Sequence, residues 1–344
     1  MRILVARLSA MGDVVHGIPA VRALCDALPS SQVFWVVQRE FIPLLEHAGL
    51  PLTGILPFDR RGGPLAYWRC MRAVRRLGVQ VALDLQGNWK SAGLCRASGA
   101  VRRLGIRAEL RRESSSAVLL SEQIPSRGDS RHPADVAWAL VNAVAPSATG
   151  TSAPCLHATA PAMAAESAAV RALGIEPTRP FTVIVLGHSA DPRSLRPSSV
   201  LAAAAHGGGQ VLGLLGPADG AVGDRMSLPV LQHGRGELSR LVALGAIVAE
   251  ARGHVVGPDK GATHVLGAAG ATVWMVHGPT DPARTTARSA IVIQRDQPPA
   301  CMPCDRRECH HPMGPVCMEL DERVFERAIR DCTGPRQAPG DDSP

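Results

Sequence analysis

Aromatic side chains are scarce in this chain: of 344 residues, one is tyrosine, five are phenylalanine and five are tryptophan. Single-stranded nucleic acids are held by aromatic platforms interleaved with cations. A formal charge of +7 with this little stacking surface, and with no recognisable binding motif, therefore argues against a nucleic-acid partner. Long apolar runs are also missing. None reaches the roughly 18 residues of a bilayer span, and the opening residues lack the apolar segment of a signal peptide, so the expectation is a cytoplasmic protein. Neither GxGxxG nor a Walker A sequence occurs, which takes the usual support from the dinucleotide dehydrogenase and P-loop NTPase readings.

What is present suits two globular domains, about the number that this length accommodates. Hydrophobic residues make up 46% and charged residues 19%. Apolar periodicity predicts strands at 3–6, 32–37 and 79–85, with helices at 15–28, 41–48, 65–77 and 89–98. A run rich in Ser, Thr, Ala and Pro, 146–161, then separates the halves. The alternation restarts with strands at 181–186, 210–215, 251–256 and 272–277 and with helical periodicity such as 238–248. Buried strands alternating with helices make parallel sheets covered on both faces, so the expected class is α/β with two such domains and a cleft between them. The domains are drawn at 1–155 and 156–334, with 335–344 as a disordered tail.

Two loops carry candidate chemistry. Behind the first strand, Arg7-Leu8-Ser9-Ala10-Met11-Gly12-Asp13-Val14-Val15-His16 puts one carboxylate where a parallel strand turns into a helix. Open α/β sheets bind ligands at that edge. Ser9 and Asp13 are equally good helix caps, which need no ligand. In the second half, Gly257-Pro258-Asp259-Lys260-Gly261-Ala262-Thr263-His264 leads from a strand into an alanine-rich helix. Free N–H groups at a helix start, with Lys260 beside them, make a phosphate site, although Asp259 as a simple cap and His264 as a packing residue fit the same pattern.

These residues resemble glycosyltransferase family nine, the ADP-heptose:lipopolysaccharide heptosyltransferases. The similarity begins with Arg7 to His16 followed by Pro19-Ala20, and continues with Asp84-Leu85-Gln86-Gly87, Lys90-Ser91-Ala92 and His132 with Asp135. Asp259-x-Gly261-x-x-His264 and Gly278-Pro279-Thr280-Asp281-Pro282 complete it, in order, to about residue 330. The resemblance implies a GT-B arrangement of two Rossmann-like domains, with the acceptor on the first and the nucleotide sugar on the second. It also implies metal-independent, inverting transfer of a sugar, heptose from ADP-heptose, to a lipopolysaccharide core or related cell-envelope glycan. Asp13 is then the general base, Ser9, Gly12, Arg60 and Arg61 are acceptor contacts, and Ser189, Arg193, Arg196, Asp259, Lys260, Gly261 and His264 are donor contacts.

The departures from the family pattern matter. Aligned through Leu186 and Pro197, the family's phosphate-contacting lysine falls on Ser194, while Asp-Thr-Gly has become Asp259-Lys260-Gly261. Lys260, with Arg193 or Arg196, is read as the replacement cation; the alternative is a catalytically silent relative that binds nucleotide or glycan. Arginines crowd the first half, including Arg60, Arg61, Arg69, Arg72, Arg75 and Arg76. They suit an anionic glycolipid acceptor and peripheral contact with the inner membrane surface. Of nine cysteines, Cys301, Cys304, Cys309 and Cys317 lie close enough in sequence for one tetrahedral thiolate site, as similar clusters do in part of this family. Structural zinc and unligated thiols are the two readings. Cys25, Cys70, Cys95 and Cys155 are expected to be buried as small hydrophobes.

Overall fold

The computed structural model describes residues 1–151, 156–188, 190–206, 209–217, 228–234 and 236–333. The first half alternates β1 (Arg2–Ala6), α1 (Met11–Ala27), β2 (Gln32–Gln38), α2 (Ile42–Ala48), β3 (Gly54–Phe58), α3 (Gly63–Arg76), β4 (Val81–Asp84), α4 (Trp89–Ala97), β5 (Arg102–Ile106) and β6 (Glu122–Ile124), and ends on α5 (Pro133–Asn142). The second half opens with α6 (Ala160–Ala172) and runs through β7 (Phe181–Val185), α7 (Pro197–His206), β8 (Gln210–Leu215), β9 (Val230–Gln232) and α8 (Leu238–Glu250). It continues with β10 (His254–Pro258), α9 (Gly261–Ala268), β11 (Thr272–Val276), α10 (Pro282–Thr285), β12 (Ile291–Ile293) and α11 (Glu322–Thr333).

Both sheets are wholly parallel and share one topology. The first has the order β3-β2-β1-β4-β5-β6, and the second, β12-β11-β10-β7-β8-β9, is the same order read from its other edge. Strand order reverses between β1 and β4 in one sheet and between β7 and β10 in the other. A doubly wound sheet opens a ligand crevice beyond the carboxyl ends of the strands at such a reversal. The fold thus aims the loops after β1 and β4, and those after β7 and β10, at the places where ligands bind.

The central strands are apolar along their whole length, as strands covered on both faces must be: Ile3, Leu4, Val5 and Ala6 are fully buried, and so are Val183, Ile184, Val255 and Val256. Side strands were harder to read from the sequence. β3, β5, β6, β9 and β12 were not expected, because they are short or carry Pro57, Arg102, Arg103, Glu122 and Gln123 in place of an apolar run.

α1 corrects a boundary. It begins at Met11, four residues before the expected start, with Ala10 rather than Ser9 or Asp13 at the cap position. The reason is tertiary. The first turn is packed against the second half, where a Cβ on Gly12 would lie 2.8 Å from the His264 ring and one on Gly261 would lie 2.8 Å from Met11. Buried residues consequently surround α1 on all sides, Val14, Val15, Ile18 and Val21 among them, as expected of a helix enclosed by a sheet, α5 and α9. Among the described residues, no helix is long and apolar enough to cross a membrane.

Candidate active site

The two loops named from sequence face one another. A cleft of about 600 Å³ is walled on one side by Ala10, Met11, Gly12 and Arg61, and on the other by His233, Lys260 and Gly261. The first residues of α1 and α9, Met11 and Gly261, touch across it. Each helix start presents unpaired N–H groups and the positive end of its dipole, so two such ends converge on one space. Glycine is required at both contacts, since at Gly12 and Gly261 a methyl group would overlap the opposite loop.

Asp13 is the third residue of α1. Its Oδ2 accepts the Ala10 N–H at 3.2 Å and pairs with the guanidinium of Arg7. Arg7 is itself buried and donates to the Leu85 carbonyl at the end of β4. The Asp13 side chain remains 36% exposed, so it is anchored on one side and open on the other. Ser9 is close by, its hydroxyl accepting from Gln86 Nε2 at 3.4 Å while Gln86 Oε1 takes the Leu8 N–H at 2.7 Å. Asp84, from the family-like Asp84-Leu85-Gln86-Gly87, plays a supporting part. It is fully buried, meets Arg111 Nη2 at 2.5 Å, and accepts from the Gln86 and Gly87 amides at 3.1 and 3.0 Å.

The second loop is built around Lys260. The ammonium donates to Ser194 Oγ at 3.0 Å and lies 3.3 Å from Asp191 Oδ2. Ser194 hydrogen-bonds in turn to the His188 carbonyl at 2.6 Å. Lys260 follows β10 and Ser194 follows β7, and these strands are neighbours at the reversal of the second sheet. A lysine on one loop therefore delivers its charge to the position aligned with the missing lysine on the other. Arg193 is committed to Asp191 through Nε and Nη2, at 3.1 and 3.0 Å. Burial works against the Asp191 carboxylate, but the hydrogen bonds from Arg193 and the charge of Lys260 hold its pKa below the usual range. Arg196 does not join them, its Nε lying 4.0 Å from Glu319. Ser189 falls outside the described residues, as do Cys155 and the expected disordered tail.

Asp259 and His264 form a buried pair, His264 Nε2 to Asp259 Oδ1 at 3.0 Å. Burial opposes ionisation of Asp259, yet its hydrogen bond to His264, with a further one to Thr285 and electrostatic attraction to the His264 and His277 rings, brings its pKa down to about 2. Asp259 is thus a carboxylate that fixes a ring. Burial pushes His277 down to about 4, against the pull of Asp259.

His16, His132 and His264, each within a motif named from the sequence, meet where the halves join. His16 stacks edge-on with His132 and His264, with ring centroids 4.7 and 5.0 Å apart. Burial, then His264 and His132, lower its pKa well below the ordinary value. His132 caps α5 by accepting the Ala134 N–H at Nδ1, which leaves Nε2 to donate to the Thr286 carbonyl at 2.8 Å. Asp135 pairs with Arg288. The signal for these contacts was present only as His132 with Asp135, whose partners lie more than 150 residues away.

Of the acceptor candidates, Arg61 lines the cleft and Arg60 is exposed beside it, in a turn where Asp59 Oδ1 takes the Arg61 and Gly62 amides at 2.9 and 3.2 Å. The four clustered cysteines border a separate cavity of about 460 Å³. Cys301 and Cys309 are exposed, Cys317 is buried, and among the described residues no group of three or more His, Cys, Asp or Glu side chains is placed to hold a metal ion. Cys25, Cys70 and Cys95 are buried as expected, and desolvation raises their thiol pKa values.

No family model matches the chain. Lipopolysaccharide heptosyltransferase 1 of Pseudomonas aeruginosa is 29% identical over 124 residues, 33% of this chain, so the match spans about a third (34%) of that relative's length. Two solved structures align over nearly all of it. A glycosyl transferase of family 9 from Veillonella parvula superposes with a TM-score of 0.74 at 16% identity, covering 96% of both chains. The E. coli heptosyltransferase WaaC, solved with ADP-2-deoxy-2-fluoro heptose, gives 0.67 at 19% identity, covering 97% of this chain and 100% of its own. The chain therefore has the two-domain α/β fold of the family nine heptosyltransferases, and it shares recognisable sequence with one of them.

Proposed function

We propose that the chain is an inverting glycosyltransferase that moves heptose from ADP-heptose to a lipopolysaccharide core or related cell-envelope glycan. One observation carries this reading: the starts of α1 and α9 meet across a cleft lined by Lys260, and the partly exposed carboxylate of Asp13 stands in the first turn of α1. In the reaction, the acceptor hydroxyl oxygen attacks the anomeric carbon from the face opposite the diphosphate. Its proton passes to Asp13, and the electrons of the breaking C–O bond go to the departing ADP. An aspartate is a weak base but is ionised at neutral pH, and general-base help is worth about 10²- to 10⁴-fold. The Lys260 ammonium and the N–H groups opening α9 take up the charge of the leaving group, so the reaction as proposed needs no metal.

Residues 1–155 would take the acceptor, with Ser9, Gly12, Arg60 and Arg61 around its anionic groups, and residues 156–334 the nucleotide sugar. The relative from Pseudomonas aeruginosa and the sugar-nucleotide analogue in the WaaC structure support that choice of donor and acceptor class. A silent, ligand-binding relative is the second reading. It is favoured by one observation, the engagement of both Lys260 and Arg193 with Asp191.

The deciding experiment supplies ADP-heptose with an inner-core lipopolysaccharide acceptor and follows ADP release and the anomeric configuration of the product. Turnover with inversion is expected. Binding of ADP without turnover would establish the silent reading, and selective binding of UDP- or GDP-sugars would overturn the donor.

A further inference from the structure

α3 presents a face that the core does not account for. Cys70 and Val74 are buried in a cluster with Leu4, Val36 and Phe58, and Tyr67 and Met71 pack against it. At 3.6 residues per turn, Leu65, Trp68, Arg69, Arg72 and Arg76 fall within an arc of about 100° on the other side, and the helix contains no acidic residue. Leu65 is 56% exposed and Trp68 48%, and the Arg72 guanidinium lies 4.8 Å over the Trp68 ring.

α4 extends this face. Tyr67 Oη donates to the Lys90 carbonyl at 2.9 Å near the start of both helices, and Arg75 Nη1 reaches the Ser98 carbonyl at 3.5 Å near their ends, so α3 and α4 run in parallel. Their first turns follow β3 and β4 and stand together at the carboxyl edge of the sheet. Trp89, 47% exposed, opens α4 at the same edge, its amide donating to Glu113 Oε2 at 2.7 Å. Arg61, on the wall of the cleft, belongs to the turn that opens α3.

We infer that this face docks the protein on an anionic phospholipid surface, with Leu65, Trp68 and Trp89 entering the headgroup layer and Arg69, Arg72, Arg76 and Lys90 meeting lipid phosphates. An apolar tip of Trp and Leu bordered by cations, with no acid on α3, is the composition that binds in the plane of a charged membrane. A nucleic acid would match the cations but leave Leu65 bare. The inference rests on the transferase reading in one respect: a lipid-borne acceptor would then be presented to the same edge at which the cleft opens.

The test sediments the full-length chain with vesicles of phosphatidylcholine alone and of phosphatidylcholine mixed with phosphatidylglycerol. Binding to the mixed vesicles only is expected, weakening as salt rises. Arg69→Ala and Arg72→Ala should each lower partitioning on the order of five-fold, and Trp68→Ser should lower it at every salt concentration. All three should leave the melting temperature and ADP binding unchanged. Equal partitioning to both vesicle types, variants that bind like wild type, or capture by duplex DNA in preference to vesicles would each overturn the inference. Vesicle binding by a chain that ignores ADP would sink the transferase reading and leave the docking face standing; ADP binding without vesicle binding would do the reverse.

Discussion

The two loops that meet in the cleft hold their charges in opposite ways. Asp13 and its partner Arg7 lie six residues apart on one strand-to-helix turn, and both are set by the buried edge of β1 and β4. Lys260 instead depends on Asp191 and Ser194, which lie more than 60 residues away on the loop after β7. The first arrangement is local and holds one carboxylate ready. The second is assembled from two loops, and its two cations share the single carboxylate of Asp191, with which a diphosphate would have to compete. The difference teaches that a charge can move between loops and keep its place in space, provided that the loops end neighbouring strands at the reversal point.

Asp13→Asn tests the local half most severely. Turnover should fall by about 10²- to 10⁴-fold with ADP affinity retained, measured by steady-state kinetics and calorimetry. An active variant would remove Asp13 as the base and reduce it to a brace for α1.

Acid separates the interface from both loops. His277 is pushed down to about 4, and His16 lies well below its ordinary value. Because the folded pKa is depressed, the unfolded chain takes up the proton first as pH falls. Stability due to neutral His277 is whole above about pH 6.5 and is lost on the way down to about 4, a change on the order of 3 kcal/mol. Denaturant titrations across that window should record the decline. A flat profile would mean that water reaches these rings.

Lys260→Ala should lower kcat/KM for the donor roughly 10- to 100-fold, the worth of one charged hydrogen bond of about 1.5–3 kcal/mol. Adding Ser194→Lys to that variant should restore part of the loss, because the two side chains meet at 3.0 Å. Absence of rescue would break the equivalence of the two positions. The smallest effect is expected from Asp191→Asn, which frees Lys260 and Arg193 and should tighten ADP binding on the order of three-fold, as suits a partly exposed ion pair. Weaker binding would instead make Asp191 the residue that positions Lys260.

Much of the site could be read because parallel strands write themselves in apolar runs. Ile3 to Ala6 and Phe181 to Val185 announce their edges, and the residues after them had to face a ligand crevice. Side strands such as Glu122–Ile124 escaped because their polar residues need only one covered face. Arg196 lies three residues from Arg193 in sequence, yet Arg193 is bound to Asp191 while the Arg196 Nε lies 4.0 Å from Glu319.

The sequence by itself determined the two βα alternations, the Asp13 and Lys260 loops and the loss of a lysine at 194, since these depend on apolar period and on residue identity. Only the tertiary structure decided that Lys260 reaches Ser194 and that Asp191 sits on both cations. It also decided that the four clustered cysteines border one cavity, and that His16, His132 and His264 close one interface. Each of these is a meeting of residues far apart in the chain, fixed by strand order and by the packing of α1 against α9, for which a linear pattern carries no signal.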